Sequence, residues 1–117
     1  PPMLDGPHGK PLDLWAGHCP TLTQPKRSLW QTSKGAKALR ARWRWVLTAT
    51  EDGKRQATTE DEALAWFAKF FAYITTCPLL IGEGSRGWQA DLAWAMKAEN
   101  FAKIMQGNYD RRQAVAA

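Results

Sequence analysis

Residues 58–78 read TTEDEALAWFAKFFAYITTCP, and no other stretch limits the possible folds so tightly. Ala63, Trp66, Phe67, Phe70, Phe71 and Ile74 recur at helical spacing and cover nearly half the circumference of a helix. A face that wide cannot be buried against one neighbour, so a central helix packed on more than one side is predicted. Thr59 and Glu62 stand at capping-box spacing, acidic residues fill the first turn, and Pro78 ends the run.

A second helical pattern covers residues 34–48, with Ser33 or Thr32 available as its cap. Leu39, Trp43, Val46 and Leu47 fall at i, i+4, i+7 and i+8, which is a core stripe. Within KALRARWRWVL (residues 37–47), Trp43 therefore points inward. Trp45 falls off the stripe, on the side shared by Lys34, Lys37 and Arg42, while Arg40 and Arg44 form an i, i+4 pair. Two readings of Trp45 stay open. An exposed indole among cations is the combination that single-strand binders use, charge for phosphates and a ring for bases. The alternative is an indole packed against a neighbouring element.

The remaining chain gives weaker signals. Residues 11–19 read as a short helix with Pro11 at its first position and Leu12, Trp15 and Cys19 on one side. Two prolines then mark an irregular connection, and residues 50–56 read as a polar turn around Gly53. Trp88, Ala90, Leu92 and Trp94 alternate with smaller or polar residues, a period of two. A strand at 79–81, a glycine-rich turn and a strand at 88–94 would make a hairpin; a helix over 89–96 is the alternative. Phe101, Ile104 and Met105 share one face of a last short helix, with Gly107 as its stop and Asn100 at its start, an N-cap before it is a contact residue. The fold expected is mainly α: a small helical domain of four to five helices with a short β-hairpin near residues 79–94. Its organisation is a flexible linker over 1–10, one helical domain over 11–110 and a loose tail over 111–117.

Composition excludes several function classes. No apolar run approaches the roughly 18 residues of a spanning helix, and no signal segment opens the chain, so neither membrane nor export is expected. Two cysteines, Cys19 and Cys77, without CxxC spacing suggest neither zinc nor a disulfide framework. His8 and His18 lack a neighbouring ligand cluster, GEGSRG lacks the Lys-Ser/Thr of a phosphate loop, and no carboxylates pair for proton transfer. No enzyme activity and no cofactor are expected. The net charge of +5 lies in residues 31–56, where seven cations face two carboxylates. A basic stripe of this kind attracts polyanions, nucleic acid first among them.

Four segments carry a resemblance: ALRARW (38–43), WFAKFFAY (66–73), GWQADLAW (87–94) and NFAKIMQGNY (100–109). Together they resemble the C-terminal domain of phage and prophage DNA replication initiation proteins of the replisome-organiser type. The likeness covers roughly residues 12–110 and is most specific after residue 65. Ala98 stands where members often have Pro before the E-N-F step, which blurs the break before the last helix. Members also carry an N-terminal winged-helix region that reads origin DNA. The present chain lacks that motif, so it reads as an excised C-terminal domain or a stand-alone relative, and origin recognition is not carried over.

The resemblance implies a role in starting phage DNA replication, exercised in the cytoplasm of a bacterial host. Joined to the basic stripe, it gives the expectation of a replication accessory domain that binds DNA, single-stranded in preference. Lys34, Lys37, Arg40, Arg42 and Arg44 would neutralise phosphates, Lys54, Arg55 and Arg86 would extend the path, and Trp45 would stack on an unpaired base. The competing expectation is a protein-docking module that recruits the host replicative helicase or its loader, since exposed Trp and Arg also anchor interfaces.

Overall fold

The computed structural model describes residues 9–116. Among them are seven α-helices: α1 (Lys10–His18), α2 (Arg27–Trp30), α3 (Lys34–Thr48), α4 (Glu60–Ile74), α5 (Leu92–Met96), α6 (Ala98–Met105) and α7 (Arg111–Ala116). Two short strands, β1 (Thr50–Glu51) and β2 (Lys54–Arg55), separate α3 from α4, and a 3-10 turn, Pro78–Leu80, follows α4. The mainly helical class read from the sequence is the one observed. The linker expected over 1–10 falls almost wholly outside the described residues, and Lys10 already opens α1.

The central helix forms for the reasons its sequence gives. The Thr59 hydroxyl accepts the Glu62 N–H at 3.1 Å, while the Glu62 carboxylate accepts from the Thr58 N–H at 2.9 Å and the Thr58 hydroxyl at 2.6 Å. The box is therefore closed one residue upstream of the reciprocal bond its spacing suggests. At the other end the Thr75 and Thr76 hydroxyls donate to the carbonyls of Ala72 and Tyr73, groups a helix terminus otherwise leaves open.

Packing on both sides of α4 follows from its width. Phe71 meets Trp15 of α1 edge-on, with centroids 5.3 Å apart at 89°. Phe67 lies flat on Trp43 of α3, at 5.8 Å and 9°. Trp15 carries its indole N–H to the Thr23 carbonyl at 3.1 Å, so the ring is buried with its one donor satisfied. Ser33 caps α3 by accepting from the Ala36 N–H, and Leu39, Trp43, Val46 and Leu47 are all buried. α5 packs across the start of α3 so closely that a Cβ on Gly35 would lie 2.7 Å from the Trp30 ring and 2.8 Å from Ala93 Cβ. Among the described residues no polar or charged side chain is buried, so the centre is held by apolar and aromatic packing.

Four local expectations are corrected. The hairpin expected near 79–94 shrinks to one antiparallel bridge, Ile81 to Gln89. Asp91 is the reason: its carboxylate accepts the Trp94 N–H at 2.8 Å and caps α5, so Leu92 and Trp94 enter a helix instead of a strand. The two-stranded ladder lies instead where a plain turn was read, with Thr50 opposite Arg55 and Glu51 opposite Lys54. Asp52 and Gly53 both have positive φ, 53° and 77°, the backbone a two-residue hairpin turn needs. The tail is not loose over its whole length, because 111–116 wind as α7, with Arg111 paired to Glu83 at 3.3 Å. Finally, Lys97 precedes α6 in extended conformation, and Asn100 sits inside the first turn, donating to the Trp94 carbonyl at 3.0 Å. Asn100 thus clasps α5 to α6 instead of capping α6. Ala98 occupies the first helical position, where Pro would have fitted equally well.

Candidate nucleic-acid interface

α3 supplies most of the candidate residues, and its geometry sorts them. About 100° of rotation per residue puts Lys37, Arg44 and Arg40 on one flank of the line through Lys34. The same rotation puts Trp45 and Arg42 on the other. Lys34, Lys37 and Arg44 are exposed, and Arg40 is half-buried at the margin of the core stripe. Lys54 and Arg55 are exposed on β2, which packs back against α3; the Ala57 N–H donates to the Val46 carbonyl at 3.2 Å just beyond it. Among the described residues no carboxylate forms an ion pair with Lys34, Lys37, Arg40, Lys54, Arg55 or Arg86. Lys54 stands opposite Glu51 in the ladder, which balances part of the hairpin's charge.

The other flank is committed inward. The Arg42 guanidinium lies 5.8 Å from the Phe101 ring centroid and reaches the Met96 carbonyl at 3.5 Å. It bridges α3 to α5 and α6 and is only half-exposed. Trp45 is half-buried, edge-on to Trp66 at 5.9 Å and to Phe101 at 5.5 Å. Of its two readings, the packed one describes it. The neighbours responsible come from α4 and α6, which a reading of α3 alone could not supply.

Arg86 belongs to another element, the loop between the 3-10 turn and α5, and is exposed there. Two residues on is Trp88, 40% exposed, the most exposed tryptophan among the described residues. It rests edge-on against Trp94 at 4.8 Å, and Trp94 in turn against Tyr109 at 5.8 Å. The sequence reading missed Trp88 because its alternation with Ala90 looked like a strand face. Trp88 follows Gly87, whose φ of 66° lies in the left-handed region that glycine adopts freely, and a glycine before a tryptophan was the turn signal the sequence offered.

The thiols are structural. Burial pushes Cys19 up to about 12, and its Sγ–H donates to the Phe71 carbonyl at 3.5 Å. Burial also raises Cys77. Neither is a thiolate near neutral pH, so neither is an activated nucleophile. Among the described residues no group of three or more His, Cys, Asp or Glu could hold a metal ion, and no helix is long and apolar enough to cross a membrane. No family model, curated protein or solved structure matches the chain.

Proposed function

We propose that this chain is a non-enzymatic accessory domain of phage-type DNA replication that binds single-stranded DNA along the outer side of α3, in the cytoplasm of a bacterial host. The observation that carries the reading is the run Lys34, Lys37 and Arg40, continued by Lys54 and Arg55, in which no cation is held by an internal carboxylate. Cations left in solvent without internal partners retain their field for a polyanion. Lysines and arginines on successive turns of one helix follow a phosphate backbone at little conformational cost. The resemblance of the four segments to replication initiation proteins supplies the biological setting. Trp88 takes over from Trp45 as the ring offered to an unpaired base, with Arg86 beside it in sequence. Arg42 is left as a structural bridge.

The test is a fluorescence titration with oligothymidylate and with a duplex at several salt concentrations. Affinity for the single strand should fall steeply with salt, with a log–log slope of about −0.7 for each phosphate neutralised. Reversing Lys34, Lys37 and Arg40 to Glu should remove about 2 from the magnitude of that slope. Trp88→Ala should weaken binding by about 1–3 kcal/mol with the slope unchanged. Binding too weak to detect at low salt, or a triple variant with the wild-type slope, would refute the reading.

A further inference from the structure

Two open clefts lie side by side on the face opposite the α1 packing of α4, and Met105 of α6 borders both. The first, about 310 Å³, is walled by Arg42, Trp45, Phe101 and Gln106. The second, about 340 Å³, is walled by Trp66, Lys69, Phe70 and Tyr73. They share an aromatic floor. Trp45 touches Trp66 and Phe101, Trp66 stacks on Phe70 at 5.4 Å, and Phe70 meets Phe101 at 4.9 Å. Met105 rises between them, 45% exposed. The two clefts are therefore halves of one apolar groove, with a flexible thioether at its waist.

We infer that this groove docks an acidic amphipathic peptide segment of a partner protein, two apolar side chains one helical turn apart entering the clefts on either side of Met105. Charge selects the sign of the partner. Arg42 and Lys69 line the groove, and among the described residues no carboxylate does. Chemistry selects peptide over nucleobase. A base brings polar edge atoms that need partners once covered. The first cleft is walled mainly by Trp45, Ala98, Phe101, Ala102 and Met105, beside the polar side chains of Arg42 and Gln106. The second is walled mainly by Trp66, Phe70, Ile104 and Met105, beside Lys69 and a Tyr73 hydroxyl that donates to Asp110 at 3.2 Å. A leucine or phenylalanine side chain asks for no such partners and gains from every apolar atom it covers. The i, i+4 spacing of a helix presents two such side chains on one face, with Asp or Glu alongside for the two cations. This surface is distinct from the outer cations of α3, and it stands or falls separately from the DNA reading.

Selection of random peptides displayed on filamentous phage against the purified chain provides the test. Enriched peptides are expected to carry apolar or aromatic residues at i and i+3 or i+4 among acidic residues. Met105 is exposed on a helix and Glu is a good helix former, so Met105→Glu should leave the fold intact, as circular dichroism will check. That variant and Lys69→Glu should each bind the selected peptides about ten-fold more weakly, while the affinity of Met105→Glu for oligothymidylate stays at the wild-type value. No enrichment, enrichment of basic peptides, or equal binding to Met105→Glu would overturn the inference. So would a Met105→Glu variant that loses oligothymidylate, because the groove would then belong to a nucleic-acid surface.

Discussion

Trp43 and Trp45 are two residues apart on the same helix and live in different surroundings. Trp43 is 1% exposed and lies flat on Phe67 in the layer between α3 and α4. Trp45 is half-buried and meets Trp66 and Phe101 at steep angles, 66° and 78°. A similar division separates other rings. Trp15, Trp43, Phe67 and Phe71 form a closed interior, while Trp45, Trp66, Trp88 and Trp94 form a rim that solvent reaches. Closed rings hold the fold together. Rim rings support it less and remain available for contact, so the richness in tryptophan reflects two separate demands.

The sharpest way to break this division is to truncate each indole. Trp43→Ala should cost about 3–5 kcal/mol, the range for emptying a large aromatic site that cannot collapse. Trp45→Ala should cost less than half as much, because solvent already reaches part of its site. Urea unfolding of both variants measures the difference. Equal losses would mean that the rim is as much core as the interior.

A smaller effect sharpens the boundary at the other end of α3. Gly35→Ala would ordinarily favour a helix by about 1 kcal/mol. Here the added methyl would enter the space of the Trp30 ring and Ala93, at 2.7 and 2.8 Å, so a net loss of about 1–2 kcal/mol is expected from overpacking. A stabilised variant would show that α2 and α5 are free to withdraw, and that the closed layer stops short of this joint.

The smallest effect belongs to the exposed rim of α4. Hydrogen bonds from the Thr58 side chain and then the Thr58 backbone hold the Glu62 carboxyl below its ordinary value of 4.5. A carboxyl depressed in the folded state adds stability above its unfolded pKa, and the gain is lost as pH falls through the folded one. Wild type should therefore lose stability on acidification below about pH 4.5, and Glu62→Gln should lose less over that window. Parallel acid-unfolding curves for the two would remove Glu62 from the account.

What the sequence disclosed follows from how locally each feature is determined. The span 34–48 coincides with α3, because an N-cap, a four-residue stripe and the cation face all lie within one helix. α4 was equally plain. The β1–β2 hairpin left no trace because strands of two residues, exposed at every position, have no buried face to create a period. The pattern Trp88, Ala90, Leu92, Trp94 misled for a related reason. Ala90 and Leu92 are buried on either side of the cap at Asp91, so a period of two appeared across a break in structure. The candidate site was legible in charge and not in depth. Lys34 and Lys37 stand where their helix puts them, whereas the inward commitment of Arg42 and Trp45 depends on Phe101 and Trp66, brought by tertiary packing from far along the chain.

The hairpin between α3 and α4 has one more consequence. None of its six residues 50–55 is tucked under anything. The first buried residue after it is Ala57, whose amide donates to the Val46 carbonyl. Its tip at Asp52 and Gly53 behaves as a handle outside the masonry: added length or a grafted dye there leaves every wall standing. Such a label would sit within reach of Lys54 and Arg55, where an arriving strand would brush past it.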